Sequence, residues 1–230
     1  MSLDFLSVDA ATDAIARSPM EAQARAAGAR LEERDGWSVA IGYGTPEQES
    51  VACTTTAGWC DVSHLGKLEL QGAGVTQRAE LELGTATRRD GAWWCPMTPD
   101  RLLVICDPGR LATAREQVPD GVDVLDVTTV FAAMTLVGPL SREVFARFCA
   151  ADLRPKVTPV NGLRPVSIAR QPGLIVCEAD DRYLFLFGWA VGQYMWTVVD
   201  DAAVHLGGRP VGLATLDSLA APLPEEAARA

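Results

Sequence analysis

The residues able to do chemistry are few and scattered. Six cysteines are present: Cys53, Cys60, Cys95, Cys106, Cys149 and Cys177. No two form a CxxC pair and none joins a Cys/His cluster of zinc type, so no metal site is expected. There are two histidines, His64 and His205. That excludes a histidine-rich metal centre. A Ser-His-Asp triad would need one of the two, and neither has a local motif around it. His64 closes the run Asp61-Val62-Ser63-His64. This order of polar residues predicts a turn in which Asp61 and Ser63 bond the backbone. His64 either does the same or faces a channel or a partner.

Trp93, Trp94 and Cys95 follow Gly91. Adjacent indoles can stack on a flat ligand ring, anchor an interface or fill a core. Cys95 as a nucleophile would need a base nearby, and the sequence shows none. Trp189, Tyr194 and Trp196 sit at helical spacing, which suits a core face with one exposed edge. Arg170 and Arg182 either pair with a carboxylate ligand or lie at the surface. Gly42-Tyr43-Gly44 lacks both the GxGxxG and the GxxxxGK pattern, so no nucleotide site follows.

The elements that position these residues mix without a regular βαβ beat. Residues 8–34, rich in Ala, Arg and Glu, predict a first helix, and residues 37–43 alternate as a strand. A turn and polar residues follow at 44–49. Strands are expected at 66–72, 101–106, 122–127, 131–137, 166–170, 174–178 and 183–187. Helices are expected at 75–83, 111–117, 142–149 with Ser141 as cap, and 190–206, ended by Gly207-Gly208. Residues 154–165 read as a Pro-rich connector, and residues 221–230 as a flexible tail. This pattern implies an α+β class: antiparallel sheets with helices packed on one side.

Of the 230 residues, 48% are hydrophobic and 22% charged, which is ordinary globular composition. The net charge of −10 argues against nucleic acid and anionic membranes as partners. No apolar run reaches the length of a membrane span, and the N-terminus lacks the basic start and apolar block of a secretory signal. A cytoplasmic location with reduced cysteines is therefore expected.

Four segments carry a family likeness. They are Gly28-Ala29-Arg30-Leu31 leading to Asp35-Gly36-Trp37, then Ala57-Gly58-Trp59-Cys60-Asp61-Val62-Ser63-His64-Leu65-Gly66-Lys67-Leu68, then Leu136-Val137-Gly138-Pro139-Leu140-Ser141, and last the stretch from Trp196 through Pro210-Val211-Gly212-Leu213. Together they resemble the glycine-cleavage T-protein (aminomethyltransferase) family, and within it the gamma subunit of heterotetrameric sarcosine oxidases. The second segment is the most specific match, similar to the family's "AGLFDVSHMGKI".

The resemblance implies a T-protein-like domain over 1–220, with subdomains of roughly 1–130 and 131–220 and without the family's C-terminal barrel domain. It implies a central channel that binds tetrahydrofolate in one-carbon transfer. For the gamma subunit it implies a structural partner of larger flavoprotein subunits, which carry the flavin. It also names a candidate pocket lining: His64, Leu65, Trp93, Trp94, Cys95, Cys106, Tyr183 and Leu184. No catalytic residue is assigned.

The polar partners of the pterin depart from the family pattern. The expected aspartate region reads Gly91-Ala92-Trp93-Trp94-Cys95-Pro96. Cys106 stands for an asparagine, Leu184 for a glutamate and Leu216 for an arginine. Each buried group left unpaired costs about 1–3 kcal/mol. Three readings follow: an accessory subunit, a stand-alone tetrahydrofolate-dependent transferase, or a binding protein whose pocket has become apolar.

Overall fold

The computed structural model describes residues 14–219. The tail and residues 8–13 of the expected first helix lie outside them. Three sheets make up the frame. A small sheet joins β1 (Ala16–Arg17), β2 (Arg30–Arg34) and β3 (Trp37–Gly42) in the order β1-β3-β2. Two larger sheets draw on β4 (Gly58–Asp61), β5 (Gly66–Gln71), β6 (Thr87–Arg89), β7 (Ala92–Thr98), β8 (Arg101–Cys106), β9 (Asp123–Asp126) and β10 (Phe131–Val137). They are completed by β11 (Leu163–Ile168), β12 (Gln171–Ala179), β13 (Arg182–Gly188) and β14 (Arg209–Pro210). The six-stranded sheet runs β11-β12-β13-β10-β4-β14 and the five-stranded sheet β6-β7-β8-β5-β9. Pairing is antiparallel except where β1 meets β3 and β14 meets β4.

Strand alternation sorts the side chains into layers. On β13, Tyr183, Phe185 and Phe187 face one way and Leu184 and Leu186 the other. The aromatic face of the six-stranded sheet packs under α1 (Glu21–Ala26), α5 (Ser141–Ala146) and α6 (Gly192–Val204), through Met20, Phe145, Met195, Trp196 and Val199. The leucine face meets Trp93, Cys95, Leu103 and Ile105 of the five-stranded sheet. The far face of that second sheet, with Leu68, Leu70, Trp94, Leu102 and Val104, is covered by α3 (Val75–Arg78) and α4 (Leu111–Glu116). Each large sheet thus has helices on one face and the other sheet on its inner face. Two further helices, α2 (Pro46–Thr55) and α7 (Leu213–Leu219), pack against each other and beside the small sheet.

Several expectations are corrected. The first helix is short: α1 ends before Gly28, whose φ of 87° breaks it, and residues 30–34 form β2. Asp35 and Gly36, both at positive φ, then turn β2 back onto β3. The polar stretch after Thr45 is α2, with Pro46 at its start and the Thr45 side chain accepting from the Gln48 N–H. Strands β4 and β7 lie where no element is expected, and β11 begins inside the expected connector. Ser141 does not cap α5; its hydroxyl donates to the Asp181 carbonyl instead.

Candidate functional site

The two large sheets do not close completely on each other. Between their inner faces lies a cavity of about 360 Å³, a size that holds small-molecule ligands. One wall is a row across the five-stranded sheet: Arg88 opposite Trp93, and Trp93 opposite Ile105. The facing wall is the pair Leu184 and Thr135 on β13 and β10. The loop between β4 and β5 adds Val62, His64 and Leu65. Cys106 and Asp107 enter at the end of β8, and α7 brings Leu213 and Leu216. Arg34 and Asp35, from the turn between β2 and β3, complete the rim.

Glu178 joins the two walls. The pairing of β12 with β13 shifts register between Cys177 and Ala179, which takes Glu178 out of the ladder. Its Oε1 accepts from the Trp93 indole N–H at 2.9 Å, and its Oε2 from the Arg182 Nε–H at 3.0 Å. The Arg88 guanidinium lies over the Trp93 ring, 5.2 Å from its centroid.

Of the eight candidate residues, His64, Leu65, Trp93, Cys106 and Leu184 border this cavity. Trp94, Cys95 and Tyr183 do not. Trp94 is one residue from Trp93, so it points to the opposite face of β7, into the core beneath α3 and α4. Cys95 shares the face of Trp93 but is sealed in the packed part of the inter-sheet core. Tyr183 faces the helices, where its hydroxyl accepts from the Arg142 Nε–H at 2.8 Å and donates to the Asp180 carbonyl.

Sequence reasoning missed Glu178, Thr135, Arg88 and Asp107, and left Arg182 open. Glu178 puts a carboxylate at the cavity, at a position other than those where the resemblance implies one. A signal for it was present: Leu174, Val176 and Glu178 alternate, so Glu178 shares the inner face, and Arg182 sits just across the hairpin.

Burial controls the protonation states. It pushes His64 down to about 4, helped by the nearby Lys67 charge, so the imidazole is neutral at pH 7. Burial also pushes the Cys106 thiol up to about 11, with Asp107 adding to the shift, and pushes Cys95 up further. Neither thiol is an activated nucleophile. Lys67 is fully buried and depressed to about 7, again by burial. Its Nζ donates to the Ser63 carbonyl at 2.7 Å and the Thr128 carbonyl at 3.4 Å, which fastens the loop that carries His64. Among the described residues no group of three or more His, Cys, Asp or Glu could hold a metal. Among them, too, no helix is long and apolar enough to cross a membrane.

These shifts have a sign. Between pH 4 and 6.5 the unfolded chain protonates His64 and the folded one does not. Stability is therefore fully present above pH 6.5 and lost as pH falls toward 4, by at most about 3 kcal/mol. Around His64, Lys67 and Arg34 push the same way as burial, and Asp35 pushes against it. Buried Asp61, whose pKa is raised, opposes the trend at acid pH. Urea unfolding at a series of pH values checks this. His64→Gln should flatten the slope in that window, and an unchanged slope would refute the assignment.

No family model matches the chain. In sequence it is 27% identical to the aminomethyltransferase of Streptomyces coelicolor over 240 residues, 88% of this chain and 61% of that protein. It is 28% identical to the aminomethyltransferase of a Parafrankia species, again over 88% of this chain and 62% of that protein. The chain thus spans about three fifths of the length of the curated relatives it matches. Among solved structures, a chain of the heterotetrameric sarcosine oxidase from Corynebacterium sp. U-96 superposes with a TM-score of 0.64 at 19% identity, covering 84% of this chain and 97% of that one. The glycine cleavage system aminomethyltransferase T from Bartonella henselae superposes with a TM-score of 0.71 at 17% identity, covering 89% of this chain and 62% of that one. The chain is therefore similar in sequence to the aminomethyltransferases and carries their T-protein-like α+β fold.

Proposed function

We propose that this chain is an accessory, non-catalytic subunit of a sarcosine-oxidase-like complex that oxidises amines with a flavin held by larger partner subunits. The observation that carries the reading is the state of the cavity's reactive groups. The Cys106 thiol is held protonated and the His64 imidazole neutral. Both oxygens of Glu178 are engaged by Trp93 and Arg182. A site built for group transfer keeps an acid, base or nucleophile poised near the working pH. The 97% coverage of the sarcosine oxidase chain supports the same reading.

The cavity does not suit tetrahydrofolate in the manner the resemblance implies. Leu184 and Leu216 line it with hydrocarbon where polar partners of the ligand are expected, and the half-buried carboxylate of Glu178 is already bonded. A pterin would leave donors and acceptors unpaired there. The sequence likeness to aminomethyltransferases favours a second reading, tetrahydrofolate-dependent aminomethyl transfer by this chain. One experiment separates the two. Affinity purification of the tagged chain from its own cells is expected to bring down a larger flavin-containing chain, and calorimetry with tetrahydrofolate is expected to show no saturable heat. A lone chain that binds tetrahydrofolate and turns over would replace the first reading with the second.

A further inference from the structure

Two polar side chains in the inter-sheet cavity have no hydrogen-bond partner among the described residues. Thr135 is 3% exposed and lines the cavity, yet its hydroxyl makes no hydrogen bond among the described residues. The hydroxyl opens on the cavity, where a water or a ligand can bond it. The His64 imidazole also has no hydrogen-bond partner among the described residues. Its loop is fastened close by: the Val62 N–H donates to the Ala133 carbonyl at 2.9 Å, and Ser63 Oγ accepts from the Ala133 N–H at 3.1 Å. Ala133 precedes Thr135 by two residues, on the same face of β10. Leu184, Leu213 and Leu216 surround this inner end with hydrocarbon.

The outer end is different. Arg88 is exposed, lies over Trp93 and makes no ion pair among the described residues. Arg182 bonds Glu178 through Nε alone, which leaves its terminal N–H groups free of partners among those residues. Two guanidinium groups therefore face one carboxylate, in a chain whose net charge is −10. Of the acids on the rim, Asp217 is paired with Arg34, while Asp35 and Asp107 are exposed to solvent. The cavity of about 360 Å³ is large enough for one small ring with its substituents.

We propose that this cavity binds a small, flat monocarboxylate that carries a neutral hydrogen-bonding group at its far end. The carboxylate sits on Arg88 and Arg182, the body lies against the edges of Trp93 and Leu184 that line the cavity, and the far group bonds Thr135. Thr135 and Arg88 are then the residues that set specificity. This goes beyond the subunit reading and does not depend on it.

The test titrates the full chain, or its complex where it copurifies with one, with 4-hydroxybenzoate, benzoate and 4-hydroxybenzamide, followed by calorimetry or ligand-observed NMR. 4-Hydroxybenzoate is expected to bind more tightly than either analogue. Thr135→Val should weaken it roughly threefold to tenfold and leave benzoate unchanged, while Thr135→Ser keeps the preference. Arg88→Gln, at an exposed position, should weaken both carboxylates about tenfold and leave the amide unchanged. The proposal is overturned if no probe binds at millimolar concentration, or if binding ignores either residue. The titration needs no partner chain, so its failure would leave the copurification result standing.

Discussion

Gly212→Ala is expected to destabilise the protein by about 3 kcal/mol or more, and to yield mainly insoluble chain. A Cβ at this position would lie 2.0 Å from the Ile41 carbonyl carbon, 2.1 Å from its oxygen and 2.2 Å from the Gly42 nitrogen. These are backbone atoms of β3, so no flexible side chain can swing away. The chain leading into α7 must separate from the small sheet, and with it go the cavity residues Leu213 and Leu216. Gly109→Ala is the control, because a Cβ there meets nothing within 4 Å. Its urea midpoint should match the parent. A Gly212→Ala protein with a parental midpoint would show that the close approach relaxes freely.

Glu49→Gln should cost about 3 kcal/mol although it conserves shape. Glu49 is 2% exposed. Its Oε1 accepts from the Tyr43 N–H at 2.6 Å, and its Oε2 accepts from the Gly212 N–H at 2.7 Å and the Thr215 hydroxyl at 2.8 Å. Every partner is a donor. An amide has one oxygen, so its NH₂ must face at least one N–H or O–H. Bonds to a charged acceptor contribute about 1.5–3 kcal/mol each, and a buried donor left unmet adds its own penalty. The carboxylate links α2, the end of β3 and the first residues of α7. Urea unfolding measures the loss. A change below about 1 kcal/mol would mean that the site rearranges or admits water. Because Gly212 shares this carboxylate, the two substitutions should combine non-additively.

Both sites bear on the family-like segments. Pro210-Val211-Gly212-Leu213 reads in the sequence as a resemblance without a reason. The reason is tertiary: Gly212 lies against the backbone of β3, some 170 residues earlier in the chain. Likewise the Asp61-Val62-Ser63-His64 turn is legible as a turn, and the Ser63 N–H does donate to Asp61 Oδ1 at 2.9 Å. That Lys67 would be buried behind it, bonded to carbonyls alone, is not legible. A lysine in an alternating strand reads as solvent-facing, and only the second sheet makes that face interior.

Three apolar strands are the most readable elements. Strands β8, β10 and β13 lie where apolar alternation and turn residues put them, since both signals are local. Propensity favours a helix over residues 8–34, but Gly28 ends it and Asp35-Gly36 turn the chain. Trp93 and Trp94 show the deeper limit. Alternation guarantees that the two indoles face apart, yet which one meets the other sheet depends on residues far away in the chain.

By itself, then, the amino-acid order determined the α+β class, the strand periodicity and the likeness to the aminomethyltransferases, because each is written in neighbouring residues. Tertiary structure alone decided which face of each strand became the cavity wall. It also decided that Glu178 would be held by Trp93 and Arg182, and that Thr135 would face the cavity with no hydrogen-bond partner among the described residues. Those outcomes follow from pairing register and sheet stacking, which bring together groups that no local pattern connects.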